Sequence, residues 1–388
     1  MMLVPDSRDD RDVRRFLNGR PINSCLNTER PASFEPGAGV SANPRMEALM
    51  TRKSLVALAA VALLAGACRP APREAAVAVD SNQLALFAPL PDQMGSPDNP
   101  VTDAKVALGR LLFYETRISK QGNQSCNSCH HLAAFGADTG RVSVRSAGQL
   151  GGRNSPTVFN AAGHVAQFWD GRALNVEEQA KGPILNPVEM GMANSAAVLR
   201  VLRADSAYVT AFRAAFPGER DPLTYDNLGR AIGAFERGLV TPSRFDQFLR
   251  GVDTALTNEE KAGFNSFVRV GCASCHNGMY VGGAQFQRAG LVNPWPDTSD
   301  VGRMAVSRDR NDRMVFKVPS LRNIEHTGPY FHNGRAPTLD SAVAMMGHYQ
   351  LGNTLTPDER RQITAFLRAL SGTLPTAYIA PPMPRGSD

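Results

Sequence analysis

Histidine and cysteine are scarce in this chain, with seven and six copies among 388 residues. Tryptophan occurs twice, and aromatic residues make up 7% of the total. So few cysteines exclude a small disulfide-dense scaffold. Long apolar stretches are also missing. The run from Leu55 to Ala67 falls short of the ~20 residues that cross a bilayer. Charge of one sign is never concentrated: the formal net charge is +6, part of it upstream of Cys68, and no polybasic stripe occurs. That excludes a nucleic-acid footprint. An ordinary hydrophobic fraction of 43% supports a packed core, and the length predicts two domains.

The short apolar run has a purpose of its own. Arg52-Lys53 precedes it and small residues close it at Ala65-Gly66-Ala67-Cys68, the layout of a secretory signal. The polar, Arg/Asp-rich residues 1–45 read as an over-long start. Two cuts are open at the bond after Ala67. One is an ordinary Ala-x-Ala cleavage. The other is a lipoprotein cleavage that leaves Cys68 to be acylated, although the leucine such a site prefers is displaced by one position. The Pro/Ala-rich stretch Arg69–Val79 would serve as a tether. Either cut exports the chain, so the expected location is the periplasm, soluble or lipid-anchored at Cys68.

Cys25 and Cys68 lie upstream or at the cut. The other four cysteines form two pairs, each followed by histidine: Cys126-Asn127-Ser128-Cys129-His130 and Cys272-Ala273-Ser274-Cys275-His276. This is the attachment pattern of a c-type haem. Two sulfurs separated by two residues can each form a thioether to one vinyl group of a haem. The next residue then delivers an imidazole to the iron. Two disulfides or a redox dithiol are the plain alternatives for such pairs. A histidine after both pairs, in an exported chain without other cysteines in its folded part, argues against them. Two covalent haem c groups are therefore expected.

The surroundings predict helices. Thr102 to Tyr114 carries Val106, Leu108, Leu111, Leu112 and Phe113 and leads into the first motif. Thr257-Asn258-Glu259-Glu260 is a capping box opening a helix with Phe264, Phe267 and Val268 on its apolar face. Thr356-Pro357-Asp358-Glu359 is another, followed by Ile363, Phe366, Leu367 and Leu370. Strand signals are few. The expected fold is mainly α: two cytochrome-c-like haem domains packed against each other and joined near Leu239–Arg250. The expected divisions are 1–67 for the start and signal, 68–84 for the tether, and 85–240 for the first haem domain. The second haem domain then covers 241–375, and 376–388 forms a tail.

Further blocks stand between and after the motifs: Arg153-Asn154-Ser155-Pro156-Thr157, Gln167-Phe168-Trp169-Asp170-Gly171-Arg172, Gly182-Pro183 and Pro187-Val188-Glu189-Met190, then Lys317-Val318-Pro319-Ser320-Leu321-Arg322-Asn323 and Gly328-Pro329-Tyr330-Phe331-His332-Asn333-Gly334. In this order, over about residues 85–375, they resemble the bacterial di-haem cytochrome c peroxidase family, which includes the MauG-type enzymes. The resemblance implies that the haem on His130 is the peroxidatic centre. It implies that Glu189 manages the protons of peroxide cleavage, with Gln179 beside it, and that Trp169 relays electrons between the haems. Each role competes with a plainer one: a capping or surface carboxylate for Glu189, a core aromatic for Trp169.

The resemblance makes the haem on His276 the electron-entry centre, with Met346 as its sixth ligand. Met345 is an adjacent competitor, and core filling is the plain alternative for either. A thioether ligand raises the iron's potential. MauG-type enzymes carry tyrosine there, so the methionine favours a peroxidase. Asn154, Thr327 and Pro329 match the family's binding site for one calcium ion, which takes oxygen donors. One departure is visible. Many members cap the first haem with a second histidine from the loop before Asn154, but no histidine occurs between Phe135 and Ser155, and Ser146 falls at that place. His131 and His164 are the nearest alternatives. An open first haem that needs no reductive activation is expected.

The implied activity is reduction of hydrogen peroxide to water, with electrons from a small cytochrome c or copper protein. The alternatives are a MauG-type enzyme oxidising aromatic residues of a partner protein, and a non-catalytic electron carrier. The family often forms homodimers.

Overall fold

The structure, a computed structural model, describes residues 75–143 and 148–383. The signal, Cys68 and Ser146 lie outside the described residues. What is described is mainly helical. The larger helices are α1 (Asp103–Phe113), α2 (Cys126–Cys129), α3 (Val176–Leu185), α4 (Ser195–Arg203) and α5 (Ser206–Ala215). They continue with α6 (Tyr225–Glu236), α7 (Arg244–Leu249), α8 (Asn258–Arg269), α9 (Leu339–Met345) and α10 (Pro357–Arg368). Two three-residue strands, β1 (Phe286–Arg288) and β2 (Val315–Lys317), pair antiparallel with Phe286 opposite Lys317.

Local chemistry sets the helix starts. The Thr102 side chain accepts from the Lys105 N–H and opens α1. Thr257 with Glu260 and Thr356 with Glu359 form the capping boxes that open α8 and α10, and Pro357 occupies the first turn, where its missing N–H costs nothing.

Packing then divides the apolar residues into two large clusters. The first takes Leu108, Leu112 and Phe113 of α1 with Leu228, Ile232 and Phe235 of α6, plus Ile184 of α3 and Phe212 of α5. The second takes Phe245 of α7, Phe264 and Phe267 of α8, and Ile363, Phe366 and Leu367 of α10. Phe366 meets Phe245 and Phe264 edge-to-face at 5.2 and 5.4 Å between ring centres. Burying each such ring stabilises the fold by about 1.5–3 kcal/mol.

Both clusters are built on a helix crossing that only glycine permits. A Cβ on Gly109 of α1 would run into the Ala231 carbonyl and the Phe235 Cβ of α6. A Cβ on Gly263 of α8 would run into the Gln362 carbonyl and the Phe366 Cβ of α10 in the same way. In each half, the helix before the Cys-x-x-Cys-His motif crosses the half's last long helix at a glycine.

The likeness continues at one constant interval of sequence. Pro156 corresponds to Pro319, Asn160 to Asn323, Phe168 to Phe331, Trp169 to His332, and Gly171 to Gly334. Asn160 and Asn323 share a left-handed backbone (φ 61° and 60°), as do Phe168 and Phe331 (64° and 69°). Bridges Gln167–Ala173 and Tyr330–Ala336 close equivalent loops. The Asn160 and Asn323 amides both donate to Thr241 Oγ1 at 2.8 Å, which joins the two halves through one hydroxyl.

The ends of the described chain cross over. Val77 N donates to Asn258 Oδ1, and Phe87 packs on Phe245 and Phe264, so the amino-terminal stretch sits on the second cluster. Tyr378 stacks on Phe235 at 5.2 Å and Ile379 joins the first cluster, so the carboxy-terminal stretch sits on the first.

Candidate haem sites

The first motif is formed by α2, one turn carrying Cys126 and Cys129, with Ser125 and Ser128 closing a capping box before it. His130 follows immediately, and its Nδ1 lies 3.1 Å from the Pro156 carbonyl and 3.3 Å from that of Gly136. A carbonyl on Nδ1 fixes the ring and leaves Nε2 for a metal. The second motif lies on a single 3₁₀ turn, Cys272–Ser274, followed by Cys275 and His276. His276 Nδ1 is buried, outside ordinary hydrogen-bond geometry, and faces the carbonyls of Val281 and Pro319. Pro156 and Pro319 are thus counterparts beside the two imidazoles.

Desolvation lowers the His276 pKa to about 4 and holds His130 below its ordinary value, so both rings are neutral near pH 7, the form that ligates a metal. Burial pushes the thiols of Cys126 and Cys272 up to about 12. Neither is the acidic thiolate of a redox dithiol.

Around the second motif the residues fit a haem. One cavity is lined by Cys272, Cys275, His276 and Met346, with apolar walls that include Phe267, Leu321, Val343 and Leu367 and polar residues such as Lys317, His332 and Gln350. Imidazole and thioether thus border the same space. Met345, the competitor, shares the Trp295 cluster with Met346 and also packs with Tyr330, Ala336 and Ala342, but it is not among the lining residues.

The same cavity receives Trp169 from the first half. The indole N–H donates to the Asn154 carbonyl at 2.9 Å, and the Trp169 carbonyl accepts from Lys317 N at 2.8 Å. Arg153 holds this segment by donating to Asp170 at 2.6 Å and, through two nitrogens, to Asp300 at 2.6 and 2.8 Å. Asn154, Thr327 and Pro329 border the cavity as well. The Asn154 amide nitrogen is engaged by the Gly140 carbonyl at 3.2 Å, which leaves Oδ1 as its oxygen donor. Among the described residues no group of three or more His, Cys, Asp or Glu side chains is gathered to hold a metal ion.

Glu189 lines a separate cavity with Phe168, Arg172, Gly182, Pro183 and Asn186. Neither His130 nor Cys126 or Cys129 lines this cavity. The loop that carries Glu189 folds back on the end of α3: Met190 N donates to the Pro183 carbonyl at 3.1 Å, and Met192 N to that of Ile184 at 2.9 Å. These bonds occupy carbonyls that a helix end leaves without partners. Gln179 lies one helical turn before Pro183, on the same face of α3. Arg172 stacks over Phe168 at 3.5 Å and pairs with Asp170 at 3.0 Å. His131 is exposed. His164 is half-buried against Tyr280, with Nδ1 3.5 Å from Lys317 Nζ, and neither histidine lines the Glu189 cavity.

Sequence reasoning missed several residues here. Nothing in the sequence around Arg153 and Lys317 marks the contacts they make here. The correspondence of Trp169 with His332 does have a sequence signal: Phe168–Ala173 (FWDGRA) aligns with Phe331–Ala336 (FHNGRA).

Similarity to known proteins agrees with this geometry. The family described as di-haem cytochrome c peroxidase matches residues 103–254. Cytochrome c551 peroxidase of Pseudomonas aeruginosa is 45% identical over 311 residues, 78% of this chain and 89% of that protein. The methylamine utilization protein MauG of Methylorubrum extorquens is 35% identical over 74% of this chain and 83% of its own length. Among solved structures, a MauG-like protein associated with microbial copper homeostasis superposes with a TM-score of 0.68 at 28% identity, covering 76% of this chain and 97% of its own. The fold and its paired haem sites define a di-haem c-type cytochrome. This chain belongs to the di-haem cytochrome c peroxidase family.

Proposed function

We propose that this chain reduces hydrogen peroxide to water with electrons from a small periplasmic donor, a cytochrome c or a copper protein. The observation that carries the reading is an asymmetry: the cavity at His276 is lined by a methionine, whereas the first half carries a carboxylate, Glu189, in a separate cavity. Cys126 and Cys129 would hold one haem c with His130 as its ligand, and Cys272 and Cys275 the other with His276 and Met346. When bound, the haems supply redox equivalents and an iron site for peroxide. Glu189 would take the proton from one peroxide oxygen and return a proton to the oxygen that leaves. Gln179, on the same helix face as Pro183, would orient the substrate. Trp169 would offer an oxidisable indole between the halves. Asn154, Thr327 and Pro329 would hold one calcium ion through oxygens. Export to the periplasm rests on the signal-like Leu55–Ala67, and among the described residues no helix is long and apolar enough to cross a membrane.

The test is a stopped-flow reaction of the fully oxidised protein with hydrogen peroxide, followed by addition of reduced cytochrome c. Rapid reaction without pre-reduction and oxidation of the donor is the expected result. A persistent peroxide-induced spectrum with the donor ignored would favour oxidation of a partner protein, the second reading, to which the 35% identity with MauG lends weight. No spectral change, even after reduction of the second haem, would leave only an electron carrier.

A further inference from the structure

We infer that Thr241 is a positioning residue for both haem ligands at once: its hydroxyl ties together the two loops whose carbonyls face the imidazoles of His130 and His276. This rests on reading both histidines as haem ligands.

Each imidazole lies against one short loop. His130 Nδ1 is 3.1 Å from the Pro156 carbonyl, at the start of the loop Pro156–Asn160. The counterpart loop is Pro319–Asn323. A Cβ on Gly282 would meet both the Pro319 carbonyl oxygen and His276 Nδ1, so these two atoms are neighbours. The loops are pinned alike. Near the start, the Thr157 hydroxyl donates to the Phe135 carbonyl and the Ser320 hydroxyl to the Tyr280 carbonyl, each at 2.6 Å. At the far end, the Asn160 N–H donates to the Leu239 carbonyl at 2.8 Å and the Asn323 N–H to that of Leu370 at 3.1 Å. Each of these anchors belongs to its loop's own half, whereas the next one is shared.

Asn160 and Asn323 are fully buried, and both side-chain amides donate to Thr241 Oγ1 at 2.8 Å. The orientation of each amide is fixed from its other side. Asn160 Oδ1 accepts from Thr241 N at 3.1 Å, and Asn323 Oδ1 accepts from Gly372 N at 2.9 Å. The amide nitrogens therefore meet the hydroxyl, whose two lone pairs are the acceptors they require. Thr241 is fully buried too, so water cannot stand in for its oxygen.

A loop that loses this anchor is free to shift its proline carbonyl. The pull of that carbonyl on the Nδ1 proton sets how strongly the ring donates to a metal. A weaker pull makes the imidazole a poorer donor, disfavours the ferric state and raises the potential. Because one hydroxyl holds both loops, one substitution should move both haems. The larger shift belongs to the first, since the Pro156 carbonyl is at hydrogen-bond distance from His130 while His276 Nδ1 is outside that geometry.

The test is the midpoint potential of each haem, measured by spectroelectrochemistry on the full chain carrying both haems. Thr241→Val keeps nearly the same shape and removes the hydroxyl; both potentials should rise, the first further. Thr241→Ser, which keeps a hydroxyl, should leave both at the wild-type values. Asn160→Gly and Asn323→Gly preserve the left-handed backbone, and each should shift only the haem of its own half. Unchanged potentials in Thr241→Val, a shift confined to one haem, or a Thr241→Ser protein that behaves like Thr241→Val would overturn the inference. If Thr241→Val does not hold both haems, the asparagine variants decide: own-half shifts support the inference, and a shift of both haems or of neither overturns it. A wild-type chain whose mass shows no covalent haem would overturn the reading of the histidines and the inference together.

Discussion

The two halves of this molecule use one frame for two purposes, and the positions at which they differ separate structure from chemistry. Helix α1 crosses α6 at Gly109, and α8 crosses α10 at Gly263, with Phe235 and Phe366 at the matching contacts. The asparagines that join the halves share Thr241. These positions agree because close packing tolerates few solutions. The exchanged positions are Trp169 for His332 and Glu236 for Leu367. Each exchange replaces one chemical capability with another while the backbone stays the same. A duplicated scaffold can therefore host two unlike redox sites with few changes.

The comparison breaks most decisively if the cysteine pairs are interchangeable. Replacing Cys126 and Cys129 by alanine should remove one covalent haem by mass and abolish the reaction with peroxide. The same change at Cys272 and Cys275 should remove one haem, leave the peroxide reaction and stop donor oxidation. The opposite assignment would reverse the roles of the halves. Next in size is Glu189→Gln, expected to slow peroxide turnover by about 10²–10⁴-fold with the haem spectra unchanged. A variant at wild-type rate would return Glu189 to a plain loop carboxylate.

Packing predictions are smaller. Gly109→Ala and Gly263→Ala should each cost about 1–3 kcal/mol in denaturant unfolding, because a new Cβ forces the crossing helices apart. Unequal costs would mean that the two crossings are not equivalent. The subtlest difference is in pH dependence. Burial, with Glu177 nearby, raises the Glu236 pKa to about 8, above the ordinary carboxylate value. The folded protein then holds a proton that the unfolded chain gives up, so this group's contribution to stability is lost as pH rises toward and through 8. Asp246 is the reverse: it is buried, but the Arg322 guanidinium at 2.6 Å and neighbouring N–H donors hold its pKa below the usual range, so its contribution is lost as pH falls through that range. Glu236→Leu, which copies Leu367, should stabilise the protein by on the order of 1 kcal/mol above pH 8 and flatten the alkaline limb of a stability-versus-pH curve. An unchanged alkaline limb would show that Glu236 does not set it.

Much of this was legible in the residues. The Cys-x-x-Cys-His motifs, the capping boxes at Thr257 and Thr356, and the apolar faces of α1, α8 and α10 are local patterns, and the structure forms the helices they encode. Glu189 and Met346 could be named through resemblance, but their neighbours could not. Nothing in the local sequence announces that Arg153 braces Asp170 and Asp300, or that Trp169, from the first half, reaches the cavity of the second motif.

By itself, then, the sequence determined the cofactor chemistry and the helices, because thioether spacing, capping and amphipathic periodicity act over a few neighbouring residues. Only the tertiary structure decided which half each chain end covers, and that Trp169 of the first half reaches the cavity of the second motif. Those outcomes depend on contacts between residues far apart in the chain, which form only once α1 meets α6, α8 meets α10, and both asparagines find Thr241.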